Sequence, residues 1–376
     1  MQNATFGVIP KSEIEMICRL DQILYQKEKP LGKRILLFPL YLLSLPYGWA
    51  VRTRTFLYTL GLLKTKQLSL PVISVGNITV GGTGKTPLVM ALSRGLMERG
   101  IHTAILSRGY RGKKGSGPLV TDGQNILLSP EESGDEPFLM AQALKGIPIL
   151  VGKDRFKNGQ MALQQFQVRG FLLDDGFQHL PLHRDLNIVL IDSQIGFGDG
   201  HLLPRGILRE PLSHLKRADF FLLTKAEDPE ACQSLESTLR EIHPSSPIFH
   251  SHYEPAGLIH PDGKFQPLHL FEGKKVLALS GIANPDYFSS LLRKSGMEVV
   301  GEMIFPDHHF YTAQDLTSIL GKVKEADWIV TTEKDMVKLK RLPLDSLPLL
   351  SLRIEMKIWE EEEFYKRVME VFRVKS

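Results

Sequence analysis

Cysteine is nearly missing from this chain: Cys18 and Cys232 are the only two in 376 residues. That excludes a disulfide framework or a cysteine-built zinc site, and it fits a reducing, cytosolic compartment. A large excess of one charge is missing too, since a formal net charge of +4 is too small to argue for a nucleic-acid partner. Nor is there an uninterrupted apolar run of the ~20 residues that a membrane-spanning helix needs. The uncharged stretch at 35–51 is broken by Pro39 and Pro46. It also starts too late for a secretory signal and lacks a small-residue cleavage site. No repeat or low-complexity tract occurs. What remains, 43% hydrophobic and 23% charged, is the composition of a packed protein long enough for two or three domains.

The small net charge hides an uneven distribution. Residues 27–70 carry Lys27, Lys29, Lys33, Arg34, Arg52, Arg54, Lys64 and Lys66 against Glu28 alone, which leaves the rest slightly acidic. Ahead of them, Ile14, Ile17, Cys18, Leu20, Ile23 and Leu24 return at helical spacing and predict an amphipathic helix over 11–26. The stretch at 35–51 has Tyr and Trp at its edges and cations on both flanks, and a second apolar patch follows at 56–63. This suits a segment lying in a membrane interface, where an anionic leaflet adds roughly 1 kcal/mol per nearby Lys or Arg. A buried helical hairpin and a single short span are the alternatives. Residues 1–70 are thus expected to form an N-terminal, membrane-associating helical segment.

The chain is organised around residues 71–86. Val72, Ile73 and Val75 predict a short buried strand. It runs into Thr79-Val80-Gly81-Gly82-Thr83-Gly84-Lys85-Thr86, and a helical pattern follows from Pro87. Strand, glycine loop, Lys-Thr and helix make the context of a phosphate-binding loop. Its backbone N–H groups would surround phosphate oxygens at a helix N-terminus. Lys85 would reach the β- and γ-phosphates, and the Thr86 hydroxyl would hold Mg²⁺. One position departs from the strict pattern: Thr79 stands where it has glycine.

Beyond the loop, short apolar strands alternate with helices, which predicts an α/β fold: a P-loop NTPase-like, doubly wound, mostly parallel sheet. The expected divisions are a kinase-like domain at 71–246, a Pro-, His- and Gly-rich connection with a candidate hairpin at 247–272, and a smaller C-terminal α/β domain at 273–376. In such sheets ligands gather at the carboxyl ends of the strands. There the chain places Ser107-Arg108-Gly109-Tyr110-Arg111, Gly134-Asp135-Glu136-Pro137, Lys153-Asp154-Arg155, Asp174-Asp175-Gly176-Phe177-Gln178-His179 and the segment around Arg205 and Arg209.

Asp174 and Asp175 after an apolar strand are what a Mg²⁺-holding carboxylate opposite Thr86 requires, with Asp192 as a rival. Arg108, Arg111, Arg155, Arg205 and Arg209 on one rim suit an anionic substrate besides the nucleotide. His179 and His183 are four apart, yet Pro181 between them argues against a helical zinc pair. Leu223-Thr224-Lys225-Ala226-Glu227 imitates a guanine-reading motif, with Glu227 in place of Asp. It supports a rival reading as a GTP- or ATP-driven regulatory or assembly NTPase. A non-catalytic nucleotide-binding scaffold fits the carboxylate and histidine clusters poorly.

Taken in order, these clusters resemble those of the tetraacyldisaccharide 4'-kinase (lipid A 4'-kinase) family. They continue with Leu203-Pro204-Arg205-Gly206-Ile207-Leu208-Arg209-Glu210-Pro211, Phe305-Pro306-Asp307-His308-His309 and Thr331-Thr332-Glu333-Lys334-Asp335. The resemblance runs from about 30 to 340, and Thr79 is part of it. It implies an ATP- and Mg²⁺-dependent lipid kinase that phosphorylates the 4'-hydroxyl of tetraacyldisaccharide 1-phosphate. Such an enzyme would be monotopic on the cytoplasmic face of the bacterial inner membrane. Neither nucleic acid nor an obligate protein partner is implied.

By the same resemblance Asp135 and His308 form the base pair, with His309 as fallback. Lys85 serves catalysis, and Glu136 with Asp174 or Asp175 joins Thr86 at the metal. Asn77, Arg108, Tyr110, Arg155, Gln178, His179, Arg205 and Arg209 are the expected substrate contacts. The Asp–His assignment gives two domains a purpose, since their closure would complete the site and exclude water.

Overall fold

The computed structural model describes residues 37–109, 117–344 and 347–374. Tyr110, Arg111, Lys33, Arg34 and the helix expected over 11–26 lie outside them. The strands are β1 (Val72–Asn77), β2 (Thr103–Ser107), β3 (Leu119–Thr121), β4 (Ile149–Val151), β5 (Gly170–Asp174), β6 (Leu186–Asp192), β7 (Phe220–Thr224), β8 (Ile248–Ile259), β9 (Phe265–Gln266), β10 (Lys275–Ser280), β11 (Glu298–Ile304), β12 (Trp328–Thr332) and β13 (Leu349–Ile358). The helices are α1 (Phe38–Thr59), α2 (Lys85–Glu98), α3 (Pro130–Ser133), α4 (Asp135–Ala143), α5 (Arg155–Gln165), α6 (Gln233–Ile242), α7 (Pro285–Lys294), α8 (Ala313–Lys322), α9 (Glu333–Leu339) and α10 (Glu361–Val374).

β1 is buried at every position and pairs in parallel with β5 and β6. Strands covered on both faces read as continuous apolar runs, which is why β1, β5 and β7 are plain in the sequence. From β1 the sheet extends through β5, β2 and β4 to the antiparallel β3, and on the other side through β6 and β7 to β8. β8 then changes partner. Its first residues pair in parallel with β7, and the remainder runs antiparallel to β13. β13 continues in parallel to β12, and β12 to β10 and β11. One strand therefore stitches the two halves into a single mixed sheet.

The 247–272 stretch is thus mostly strand: β8 is 12 residues long and forms a hairpin with β9. Pro255, which obscures it in sequence, sits where the pairing register shifts opposite Ile354. A strand tolerates proline at such an irregularity.

α1 also departs from expectation. It continues through Pro46 for 22 residues as a single helix. Only Ser44 and Gly48 are buried, while Leu42, Leu43, Leu45, Trp49 and Phe56 are each at least half exposed. It is not a buried hairpin. Among the described residues no helix is long and apolar enough to cross a membrane, so the single-span alternative finds no support there.

Candidate active site

The glycine loop begins as an extension of β1. The Val80 amide donates to the Ile207 carbonyl (2.8 Å), the Arg209 amide donates to the Ile78 carbonyl (2.8 Å), and Thr79 bridges to Leu208. The chain at Thr79 is therefore extended and paired, and needs no glycine. Left-handed backbone is required two residues later, at Gly81 (φ 103°), and at Gly84 (φ 89°), the N-cap of α2. A Cβ on Gly84 would lie 2.1 Å from the Tyr253 hydroxyl of β8, so only glycine lets that strand close over the loop.

Lys85 opens α2 and donates to Asn77 Oδ1 (3.2 Å), with Asp175 Oδ1 at 3.7 Å. Arg209 shares both partners. It donates to Asn77 Oδ1 (3.1 Å) and engages the Asp175 carboxylate through both terminal nitrogens (2.8 and 3.2 Å). Burial pushes the Asp175 carboxyl up, but Lys85 and Arg209 outweigh it and hold the group far below the usual carboxylate range. Asp174 is the opposite case. Burial, with the nearby charges of Glu136 and Asp175, pushes it up to about 6. Ser107 donates to its Oδ2 (2.9 Å), while its Oδ1 is buried with no partner. Thr86 Oγ1 lies 3.4 Å from Glu136 Oε2.

The C-terminal half faces this cluster through β12, α9 and the loop after β11. Lys334 lies 3.2 Å from His308 Nε2, 3.2 Å from Asp307 and 3.3 Å from Glu136. Burial, then the Lys334 charge, lowers the His308 pKa and favours the neutral imidazole. Arg341, beyond α9, reaches Asp135 (3.3 Å) and Glu131 (2.9 Å). The glycine loop, Arg108, Asp135, Glu136, Asp174, Asp175, Arg209 and His308 all line one cavity of about 820 Å³ between the halves. Among the described residues, the non-glycine positions with positive φ are Asp175, Lys225 and His308, and all three line this cavity. Such strain persists only where surroundings enforce it, and it gathers at functional sites.

Other expected residues stand behind the cavity wall. Gln178 donates to the Asn77 carbonyl (2.8 Å), and buried Arg155 donates to the Asp175 carbonyl (3.2 Å). The His179 pKa is lowered to about 4 by burial and then by the charges of Arg155, Arg184 and Arg54. Arg205 is paired with Asp199 (2.6 Å), with both side chains nearly buried. His309 pairs with Asp315 (3.1 Å) and stacks on Phe305, while His308 lines the cavity.

Asp192 is paired with Lys225, and Glu227 is held by Tyr287 (2.6 Å) and Lys294 (2.7 Å). The guanine-reading imitation is thus committed to contacts within the protein. Sequence reasoning read Lys225 only as part of the guanine-reading imitation and assigned no role to Lys334 or Arg341. Lys334 stood inside a quoted cluster, but its partners come from the other half of the chain, which spacing cannot show.

Comparison with known proteins places nearly the whole chain. The family model described as LpxK, tetraacyldisaccharide-1-P 4'-kinase, matches residues 36–373. A tetraacyldisaccharide 4'-kinase of Geobacter metallireducens is 42% identical over 310 residues, covering 81% of this chain and 89% of the relative. One from Syntrophus aciditrophicus is 42% identical over 343 residues, 88% of this chain and 91% of the relative. The crystal structure of LpxK from Aquifex aeolicus in complex with ATP is 35% identical, with a TM-score of 0.72 over 90% of this chain and 99% of that one. With a match along nearly its whole length, the chain belongs to the tetraacyldisaccharide 4'-kinase family.

Proposed function

We propose that this protein transfers the γ-phosphoryl group of ATP to the 4'-hydroxyl of tetraacyldisaccharide 1-phosphate, a lipid A precursor. The observation that carries the reading is the single cavity in which the glycine loop and the four carboxylates Asp135, Glu136, Asp174 and Asp175 face His308 from the other half. In this reading residues 71–246 are the nucleotide half, and 273–376 supply what completes the site.

Phosphoryl transfer needs positioning and charge neutralisation more than covalent chemistry. The N–H groups of 81–86 and the Lys85 ammonium hold the β- and γ-phosphates. Asn77 and Asp175 aim Lys85 by holding it from behind. Thr86 and Glu136, whose oxygens lie 3.4 Å apart, would hold a hard cation together with Asp174, which carries a buried oxygen with no partner and feels the Glu136 charge. Asp175, already neutralised by Lys85 and Arg209, would add its carboxylate beside that set. Bound there, Mg²⁺ would neutralise charge on the phosphate oxygens. It commonly uses one or two carboxylates plus substrate phosphates rather than a cage built wholly of protein. His308, kept neutral by burial and Lys334, accepts the proton of the attacking hydroxyl, and Asp135, which lines the same cavity and is held by Arg341, is assigned as its carboxylate partner. Arg108 and the positively charged surroundings of His179 suit the 1-phosphate.

The exposed apolar face of α1 and the cations around it suit the cytoplasmic leaflet of the inner membrane. No contact around Glu227 favours the regulatory NTPase alternative. The test is ATP-dependent phosphorylation of tetraacyldisaccharide 1-phosphate in detergent by wild type, Asp135→Ala, His308→Ala and the double variant. Each single change is expected to lower kcat by about 10²-fold or more, and the double variant by far less than the product. Full activity in His308→Ala would remove it as the base.

A further inference from the structure

The exposed helix α1 is joined to the phosphate loop more closely than an anchor requires. Its buried contacts are narrow. A Cβ on Gly48 would fall 2.7 Å from the Leu202 side chain, so the helix lies close on the 193–211 segment there. Two side chains then reach past that contact. The Tyr47 hydroxyl donates to the Arg209 carbonyl (2.8 Å), and the Arg54 guanidinium donates to the Gln178 carbonyl (3.2 Å).

Both acceptor residues lead to the same buried asparagine. Arg209 donates to Asn77 Oδ1 (3.1 Å) and Gln178 donates to the Asn77 carbonyl (2.8 Å). Lys85 donates to that same Oδ1 (3.2 Å). The outer face of the helix presents Leu42, Leu45, Trp49 and Phe56, with Arg52, Lys64 and Lys66 exposed beside it. Apolar and aromatic groups ringed by cations are complementary to an anionic lipid surface.

We propose that α1 is a positioning element of the active site: Tyr47 and Arg54 transmit its seating on an anionic lipid surface to Asn77 and Lys85, so that a bilayer tightens nucleotide binding even without the acceptor lipid. This rests on the reading of residues 79–86 as a nucleotide loop. Seating fixes the helix, the helix fixes two carbonyls, and these restrict the loops that aim Lys85. Such coupling is reciprocal by thermodynamic necessity, so nucleotide must tighten lipid binding by the same factor.

The test uses the full chain, a fluorescent ATP analogue and vesicles of phosphatidylglycerol and phosphatidylethanolamine, with no acceptor lipid. Wild type is expected to bind the analogue about three- to tenfold more tightly on vesicles, the range of about one hydrogen bond. The analogue should raise vesicle affinity by the same factor. Tyr47→Phe should still sediment with vesicles but lose most of the shift. Arg54→Lys, which keeps the charge and shortens the reach, should lose part of it. Trp49→Ser should lose sedimentation and shift together while binding the analogue in solution as wild type does. Three results would overturn the proposal. Wild-type affinity could be indifferent to vesicles, Tyr47→Phe could shift as wild type does, or α1 could be covered in solution by a second copy that prevents vesicle binding. Absence of analogue binding under every condition would instead sink the nucleotide-loop reading itself.

Discussion

Asp174→Asn should make the nucleotide-free protein more stable while impairing it as an enzyme. Asp174 is 3% exposed, has one oxygen without a partner, and is pushed from an ordinary 3.8 up to about 6 by burial and then by Glu136 and Asp175. The unfolded chain releases this proton near 4, whereas the folded chain keeps it until about 6. Between those values the unfolded state binds fewer protons, so stability falls as pH rises, and the deficit is complete above about 6. A gap of roughly two units at 1.36 kcal/mol each puts its ceiling near 3 kcal/mol. Asparagine cannot ionise, and its carbonyl still accepts from Ser107. The variant should therefore match wild type near pH 4 and exceed it by about 1–3 kcal/mol at pH 8. The assay is denaturant unfolding of both proteins from pH 4 to 8 in the presence of a chelator. A variant no more stable than wild type at pH 8, or a difference independent of pH, would refute the reasoning. Adding Mg²⁺ and nucleotide should favour wild type, because a ligand stabilises the form that binds it better.

Two further outcomes follow from the packing and the loop. Gly95→Ala places a Cβ 2.1 Å from the Tyr365 hydroxyl, where α2 and α10 meet, and should lower unfolding stability by about 1–3 kcal/mol. An unchanged denaturation midpoint would show that the helices separate freely there. Lys85→Met removes the ammonium that Asn77 and Asp175 hold toward the loop, and kcat/KM with ATP should fall at least about 10²-fold. Retention of a tenth of the activity would mean that Lys85 is not the phosphate-binding cation.

Much of this was legible in the sequence for physical reasons. β1, β5 and β7 are sandwiched between layers, so burial writes itself as unbroken apolar runs ending in the polar residues that line the cavity. α7 carries its own start signal, since the Asn284 side chain accepts from the Tyr287 amide and Pro285 takes the first helical position. β8 was not legible. Most of it pairs with β13, about a hundred residues later in the chain, and its Pro255 and Gly257 read as loop. α9 was also missed, since its buried Asp335 and Lys338 pair with each other and blur the apolar stripe. Pro46 suggested a break that α1 does not make. At the site, Asp174, Asp175 and Lys85 could be read from local motifs. The contacts Lys334–His308 and Arg341–Asp135 join distant segments and became visible only with the fold.

The most direct test of the central claim is the fate of labelled phosphate. Wild-type protein incubated with γ-labelled ATP, Mg²⁺ and tetraacyldisaccharide 1-phosphate in mixed micelles should place the label on the 4'-hydroxyl of the lipid. His308→Ala should still bind ATP but leave the lipid nearly unlabelled. Label released only as inorganic phosphate by wild-type protein competent to bind ATP would contradict the kinase assignment.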